Sequence, residues 1–269
     1  MNMEKNKIAS VDFKATFGFL KKNDINDSIY LTYNFLHKPA LLGIFGAILG
    51  LGGYYQAFIN KANIQEYIEK FKDIKVGIEP LNSLNGNFKK TVITYNNSVG
   101  YANKEEGGNL IIKEQTLIAP KYRVYVLLNN EYASKLFDML KNKEAVYIPY
   151  LGKNDFQLTW EEPKEYIATK FEHTSSYSIN SIFRKNDFIK NHLLNDGVDD
   201  FLNEKQYFFL YFERLPIGFS KITGNYELEE FVYTNALFSN SLKIDELYEL
   251  FESNNSKNVI SNKTIIQLI

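Results

Sequence analysis

One segment constrains this chain more than any other: His37-Lys-Pro-Ala-Leu-Leu-Gly-Ile-Phe-Gly-Ala-Ile-Leu-Gly-Leu-Gly-Gly53. After Lys38 it carries no charge, and the uncharged run of 21 residues extends to Ile59. Such a run is either a membrane span or a helix buried on all sides. Gly46 and Gly50 match the small-xxx-small pattern of spanning helix pairs. However, Gly52 and Gly53 interrupt the run early, and a helix over residues 40–51 is about 18 Å long, well short of a hydrocarbon core of about 30 Å. A membrane anchor through residues 39–59 is therefore the lesser reading, and no cleavable signal precedes the segment.

The buried-helix reading accounts for the glycines. Gly43, Gly46 and Gly50 fall at i, i+3 and i+7, on one helical face. Glycine costs about 1 kcal/mol against alanine inside a helix, so three on one face predict a close approach there by backbone or ligand. Gly52 and Gly53 end the helix. Pro39 suits the first helical turn. The free N–H groups of that turn, with Lys38 beside them, can receive a phosphate. A helix packed on a sheet with no ligand fits the same residues.

At 269 residues the chain makes one large or two small domains, and a 45% hydrophobic share supports a real core. It has no cysteine, which removes disulfides, thiolate metal sites and thiol nucleophiles, and fits a cytoplasmic protein. The net charge of −1 argues against a protein that coats nucleic acid unaided. The charge is uneven: residues 1–126 hold 16 basic and 11 acidic side chains, and residues 127–269 hold 15 and 21. The first half can thus face a polyanion. Tyr and Phe total 40, enough both for a core and for stacking on unpaired bases.

Val11, Phe13, Ala15, Phe17 and Phe19 alternate with polar residues and predict a half-buried strand. Residues 30–36 read as extended, 64–71 as a short helix and 74–78 as a strand. Residues 82–109 are dominated by turn chemistry. Then follow a strand over 122–128, an amphipathic helix over 131–141 and a strand over 145–151. The order β-α-β, protruding loop, β-α-β is that of a ferredoxin-like fold, also used by RNA-recognition domains. The expected class is α+β: a domain over residues 1–155, with a protrusion at 82–109, and a smaller β-rich domain over 156–269 that ends in a polar tail at 253–262.

The chemistry-bearing residues are sparse. His37, His173 and His192 have no metal-ligand spacing, and neither a metal nor another cofactor is expected. Phosphate-loop and nucleophile-elbow motifs are absent. Tyr33, His37, Lys38, Lys121 and Tyr122 are the candidates for acid–base cleavage of RNA, a reaction that needs only a base and an acid. In the run 120–125, Lys121, Arg123 and Tyr125 share one strand face, opposite Tyr122, Val124 and Val126. A basic and aromatic face suits phosphate pairing and base stacking.

The glycine segment resembles the signature of the CRISPR-associated Cas five proteins, in which a proline is followed by Leu-Gly, two apolar residues, Gly-Ala, two apolar residues and Gly. Tyr30-Leu-Thr-Tyr33, Ala119-Pro-Lys-Tyr-Arg123, Tyr147-Ile-Pro-Tyr-Leu-Gly-Lys153 and Glu213-Arg-Leu-Pro-Ile-Gly218 resemble further family segments in the same order, the last from the subtype I-B branch. The resemblance implies a ferredoxin-like domain with a thumb at 82–118 and a small C-terminal β domain. It implies a subunit of the type I complex Cascade that binds the 5′ handle of the CRISPR RNA and caps the Cas seven backbone. It further implies contact with the large subunit, and target DNA engaged only indirectly. By position, His37, Lys38, Ala40, Lys121, Tyr122, Arg123 and Lys153 are the RNA-binding set. Lys89, Lys90, Tyr95 and Tyr101 belong to the thumb and its partner contact. One branch of the family cuts precursor RNA without metal, using an adjacent Lys and His. Here Lys121 is followed by Tyr122, so the expectation is a non-catalytic subunit, with endoribonuclease as the alternative.

Overall fold

A computed structural model describes residues 6–23, 28–96, 104, 106, 110–185, 208–220, 223–252 and 263–269. In chain order the elements are β1 (Asn6–Ala15), β2 (Phe17–Gly18), α1 (Lys38–Leu49), α2 (Tyr54–Ile59), α3 (Glu66–Lys70), β3 (Val76–Leu81), β4 (Lys90–Asn96) and β5 (Ile111–Ile118). They continue with β6 (Lys121–Leu127), α4 (Glu131–Asn142), β7 (Leu158–Lys170), β8 (Phe183–Arg184), β9 (Leu210–Phe219), β10 (Tyr226–Thr234), β11 (Leu247–Glu252) and β12 (Thr264–Gln267). The chain is α+β, with strands predominating.

The main sheet has six antiparallel strands in the order β12-β11-β7-β1-β6-β3. Within it β1, β3, β6 and β7 stand in the order 4-1-3-2. The fourth of these is β7 and not residues 145–151, which run as an irregular segment. Val146 and Tyr147 there donate their N–H groups to the carbonyls of Ile48 and Ala47 at the end of α1. β7 begins beyond residue 155 and pairs with β1 over nearly its whole length. Strands β11 and β12 continue the same sheet. Its two ends then meet: Val76 and Ile269 exchange main-chain hydrogen bonds of 3.1 and 2.8 Å.

That closure explains why β1 is buried on both faces and not on one. Val11, Phe13 and Ala15 face the helices, while Ile8 packs with Tyr125, Leu127, Tyr166, Leu250, Ile266 and Leu268 inside the curled sheet. Phe17 lies outside the run of β1. It opens β2, which belongs to a separate sheet in the order β2-β5-β4. Part of the turn-rich stretch is thus a regular hairpin, with β4 and β5 paired from Lys90↔Leu117 to Asn96↔Ile111. A third sheet, β8-β10-β9, lies between two cores. Leu215 and Phe231 join the core around α1, and Phe183 and Val232 join the core of Phe171, Tyr177 and Phe238.

Helix α1 is apolar because most of its circumference is buried, with only a half-buried stripe at Ala40, Gly43 and Ala47. Phe45 stacks against Phe13 of β1 and Phe71 after α3, at 6.4 and 5.8 Å. α4 and β9 also lie against α1. It spans 12 residues and ends at Gly50, whose φ of 75° closes the helix in the left-handed conformation. No helix among the described residues is long and apolar enough to cross a membrane. The glycine face divides in two. A Cβ on Gly46 would lie 2.7 Å from Cβ of Tyr67, whereas one on Gly43 would meet nothing within 4 Å. The close approach at Gly46 is therefore between α1 and α3, a Cβ on Gly50 would meet Val146 at 2.8 Å, and Gly43 takes no part in either. The tail at 253–262, Tyr101 and His192 lie outside the described residues.

Candidate nucleic-acid interface

The start of α1 is satisfied from within. His37 is the N-cap, 4% exposed, and its Nδ1 accepts the Ala40 N–H at 3.3 Å. The Leu41 N–H bonds to the His37 carbonyl, and Pro39 has no N–H to offer. The imidazole packs edge-on to Tyr33 and Tyr226, at 5.2 and 5.7 Å. Burial pushes its pKa down to about 3, so it is a neutral acceptor at physiological pH. Lys38 donates from Nζ to the Ile269 main-chain oxygen at 3.1 Å, bracing the closure of the sheet. Burial lowers its pKa, and Arg184 and Lys75 add to the shift. These residues form a capped and braced helix start, in place of the open phosphate cradle the sequence suggested. Gly52 and Gly53 beyond the helix turn their N–H groups to Glu66 and Gln56, at 2.8 and 3.1 Å.

The basic face of β6 is matched by carboxylates from the neighbouring β1 and, one strand further, from β7. The register sets Asp12 opposite Arg123 and Glu161 opposite Asp12. Arg123 grips Asp12 through Nε and Nη2 at 2.6 and 2.9 Å. Lys121 reaches Glu161 at 2.8 Å and Asp12 at 3.3 Å, and Lys14 also bonds to Glu161. The hydrogen bonds from Lys121 and Lys14 hold Glu161 down at a pKa of about 2, and the bonds that Arg123 donates to Asp12 raise the pKa of Arg123. Tyr125 lies buried and donates to Glu79 at 2.7 Å; burial raises the Glu79 pKa. The expected basic and aromatic stripe is thus a charge-balanced lattice with its tyrosine inside. On the opposite face Tyr122 is also buried, its hydroxyl on the Asn34 carbonyl at 2.6 Å.

A second cluster ties Glu213 of β9 to the segment before α1 and to the base of the β4–β5 hairpin. The buried carboxylate of Glu213 accepts the N–H groups of Asn34 and Phe35, at 3.0 and 2.9 Å, and pairs with Lys22 at 3.2 Å. The Asn34 side chain in turn holds the base of the β4–β5 hairpin. It donates to the Gly86 carbonyl and accepts from the Phe88 N–H and Lys90 Nζ, at 2.7, 3.0 and 2.8 Å. Lys90 also donates to Asn87 Oδ1 at 2.7 Å and to the Phe88 carbonyl at 3.3 Å. Lys89 is exposed. Burial of Lys90 lowers its pKa.

Lys153 joins the hairpin to the rest of the molecule. Its Nζ pairs with the buried Glu114 at 2.7 Å and sits 4.8 Å from the Tyr95 ring, while the Tyr95 hydroxyl donates to Glu114 at 2.9 Å. Gly152 positions it with a φ of 86°, and a Cβ there would fall 1.7 Å from the Phe19 carbonyl oxygen. The two residues expected on RNA and on a partner therefore meet each other. Asn34, Asp12, Glu114 and Glu161 were missed in the sequence. Asp12 had a visible signal, a carboxylate inside an apolar alternating run. The other three had none.

No family model matches the chain, and no curated protein matches it in sequence. It is similar to solved CRISPR-associated structures. A chain of a CRISPR RNA-guided surveillance complex is 10% identical, with 86% of this chain and 90% of that one covered and a TM-score of 0.46. A CRISPR protein from Archaeoglobus fulgidus is 13% identical over 97% and 98%, with a TM-score of 0.42. A chain of the Type III-B Cmr-beta complex, bound to cognate target RNA and AMPPnP, is 11% identical over 87% and 86%, with a TM-score of 0.46.

Proposed function

We propose that the chain is a subunit of a CRISPR RNA-guided effector complex, and within that class a Cas five-type subunit. One observation carries the reading. The Cas five-like segment falls on α1 of a β-α-β-β-α-β unit with strand order 4-1-3-2, and a hairpin stands between its second and third strands. In this reading β1, β3, β6 and β7 with α1 and α4 form the ferredoxin-like unit. The β4–β5 hairpin is the thumb, and the later strands make up the C-terminal part. The subunit holds the 5′ handle of the guide in the cytoplasm. It caps a backbone of Cas seven subunits beside the large subunit and meets target DNA only through the guide, which reads the target by base pairing.

The geometry supports holding over cutting. His37 is a buried, neutral helix cap, and Tyr122 spends its hydroxyl on a carbonyl. The balanced lattice around Lys121 and Arg123 gives RNA phosphates little net charge to find. The test is co-expression with the neighbouring genes, purification through a tag on this chain, and sequencing of bound RNA. A discrete guide with a constant 5′ segment is expected. Preparations whose RNA contains no CRISPR repeat sequence would refute the assignment. Cleavage of precursor transcript by the pure chain, lost in His37→Ala, would replace holding by catalysis.

A further inference from the structure

The β4–β5 hairpin presents an edge that ordinary folds take care to hide. The Ile118 N–H donates to the Lys89 carbonyl at 2.9 Å, which fixes the pairing phase. In an antiparallel ladder, hydrogen-bonded and non-bonded pairs alternate. Thr91, Ile93 and Tyr95 therefore turn their main-chain groups to β5, and Val92 and Thr94 turn theirs outward. The other side of the hairpin agrees with this phase. Lys113 and Gln115 of β5 point away from β4 and exchange hydrogen bonds of 2.9 Å each with Tyr30. β5 is thus paired on both sides, whereas among the described residues β4 pairs with β5 alone.

Exposed edges are usually blunted by proline, bulges or inward-turned charge. From Thr91 to Asn96 there is no proline or charge, and the pairing with β5 shows no register shift. Val92 is 51% exposed. The edge is also held in place by the Lys153–Glu114–Tyr95 contacts, so little ordering cost remains for a strand that joins it. Lys89 and Lys90 stand at the N-terminal end of β4, and the one carboxylate on β4 and β5, Glu114, is already neutralised by Lys153.

We propose that β4 is a strand-acceptor edge, which takes an extended segment of another protein in antiparallel pairing through Val92 and Thr94. The incoming strand carries carboxylates at its C-terminal end, where they meet Lys89 and Lys90. The edge is defined by main-chain geometry and stands apart from the guide-RNA role: a chain that binds no guide yet accepts the strand loses the first and keeps the second.

The test uses the full chain and a capped peptide, Thr-Val-Thr-Val-Thr-Val-Glu-Glu, with residue-resolved amide exchange as the readout. Saturating peptide should slow exchange at Val92 and Thr94 at least about tenfold and leave Thr91, Ile93 and Tyr95 unchanged. The same peptide N-methylated at alternate amides should lose this effect. Thr94→Pro should abolish it, while Thr94→Val, which keeps the main chain, should bind within about twofold. No slowing at millimolar peptide would overturn the proposal, as would equal binding of the N-methylated peptide. So would an oligouridylate that slows the two amides where the peptide does not, since the edge would then be an RNA contact.

Discussion

Two glycines one helical turn apart should respond to the same substitution with opposite signs. Gly43→Ala adds a methyl group where nothing lies within 4 Å, so only helix propensity changes. The expected gain is about 1 kcal/mol. Gly46→Ala gains the same propensity but sets its methyl 2.7 Å from Cβ of Tyr67. That atom is fixed to the backbone of α3 and cannot rotate away, so α3 must shift from α1. Overpacking of this kind costs about 1–3 kcal/mol, which leaves Gly46→Ala between neutral and about 2 kcal/mol less stable. The two variants should therefore differ by about 1–3 kcal/mol, with Gly43→Ala the more stable. Urea unfolding, compared at equal slope, measures the difference directly. Two variants of equal stability, or Gly46→Ala the more stable, would refute the assignment of the close approach to the α1–α3 contact.

Three further outcomes follow from the clusters. Glu213→Ala orphans the buried N–H groups of Asn34 and Phe35 and should cost about 2–5 kcal/mol in urea unfolding; Glu213→Gln, which keeps an acceptor, should cost clearly less. Arg123→Ala strips the bidentate partner from buried Asp12 and should cost about 3 kcal/mol, more than Lys121→Ala; the double variant Asp12→Asn/Arg123→Ala should recover part of the loss. His37, held near a pKa of about 3, binds its proton only after unfolding, so stability should fall as pH drops from about 6.5 toward that value. His37→Asn keeps a cap and removes the titration, so its stability should fall less steeply between pH 6.5 and 4.5; an identical slope would count against a neutral buried imidazole.

What the sequence determined by itself was local. The strand at β1 and the amphipathic period of α4 each depend on a few neighbouring residues, and both stand in the structure, although β1 is buried on both faces and α1 stops at Gly50, two residues before the glycine pair expected to end it. The β-α-β pattern was legible for the same reason, although its fourth strand was placed too early, because the apolar run at 145–151 follows α4 as closely as a strand would. What only the tertiary structure decided was partnership across the chain. Arg123 and Asp12 are 111 residues apart, and Glu213 and Asn34 are 179 apart. No periodicity encodes such distances. The strand register chose which carboxylate faces which base, and so turned an apparent basic stripe into a neutral one. The closing contact of Ile269 with Val76 likewise covered a sheet face that alternation alone left open to solvent, and brought Lys38 to a main-chain oxygen in place of a phosphate. Local spacing sets which elements form. Burial and pairing between distant elements set which charges and donors remain available, and with them what the surface can bind.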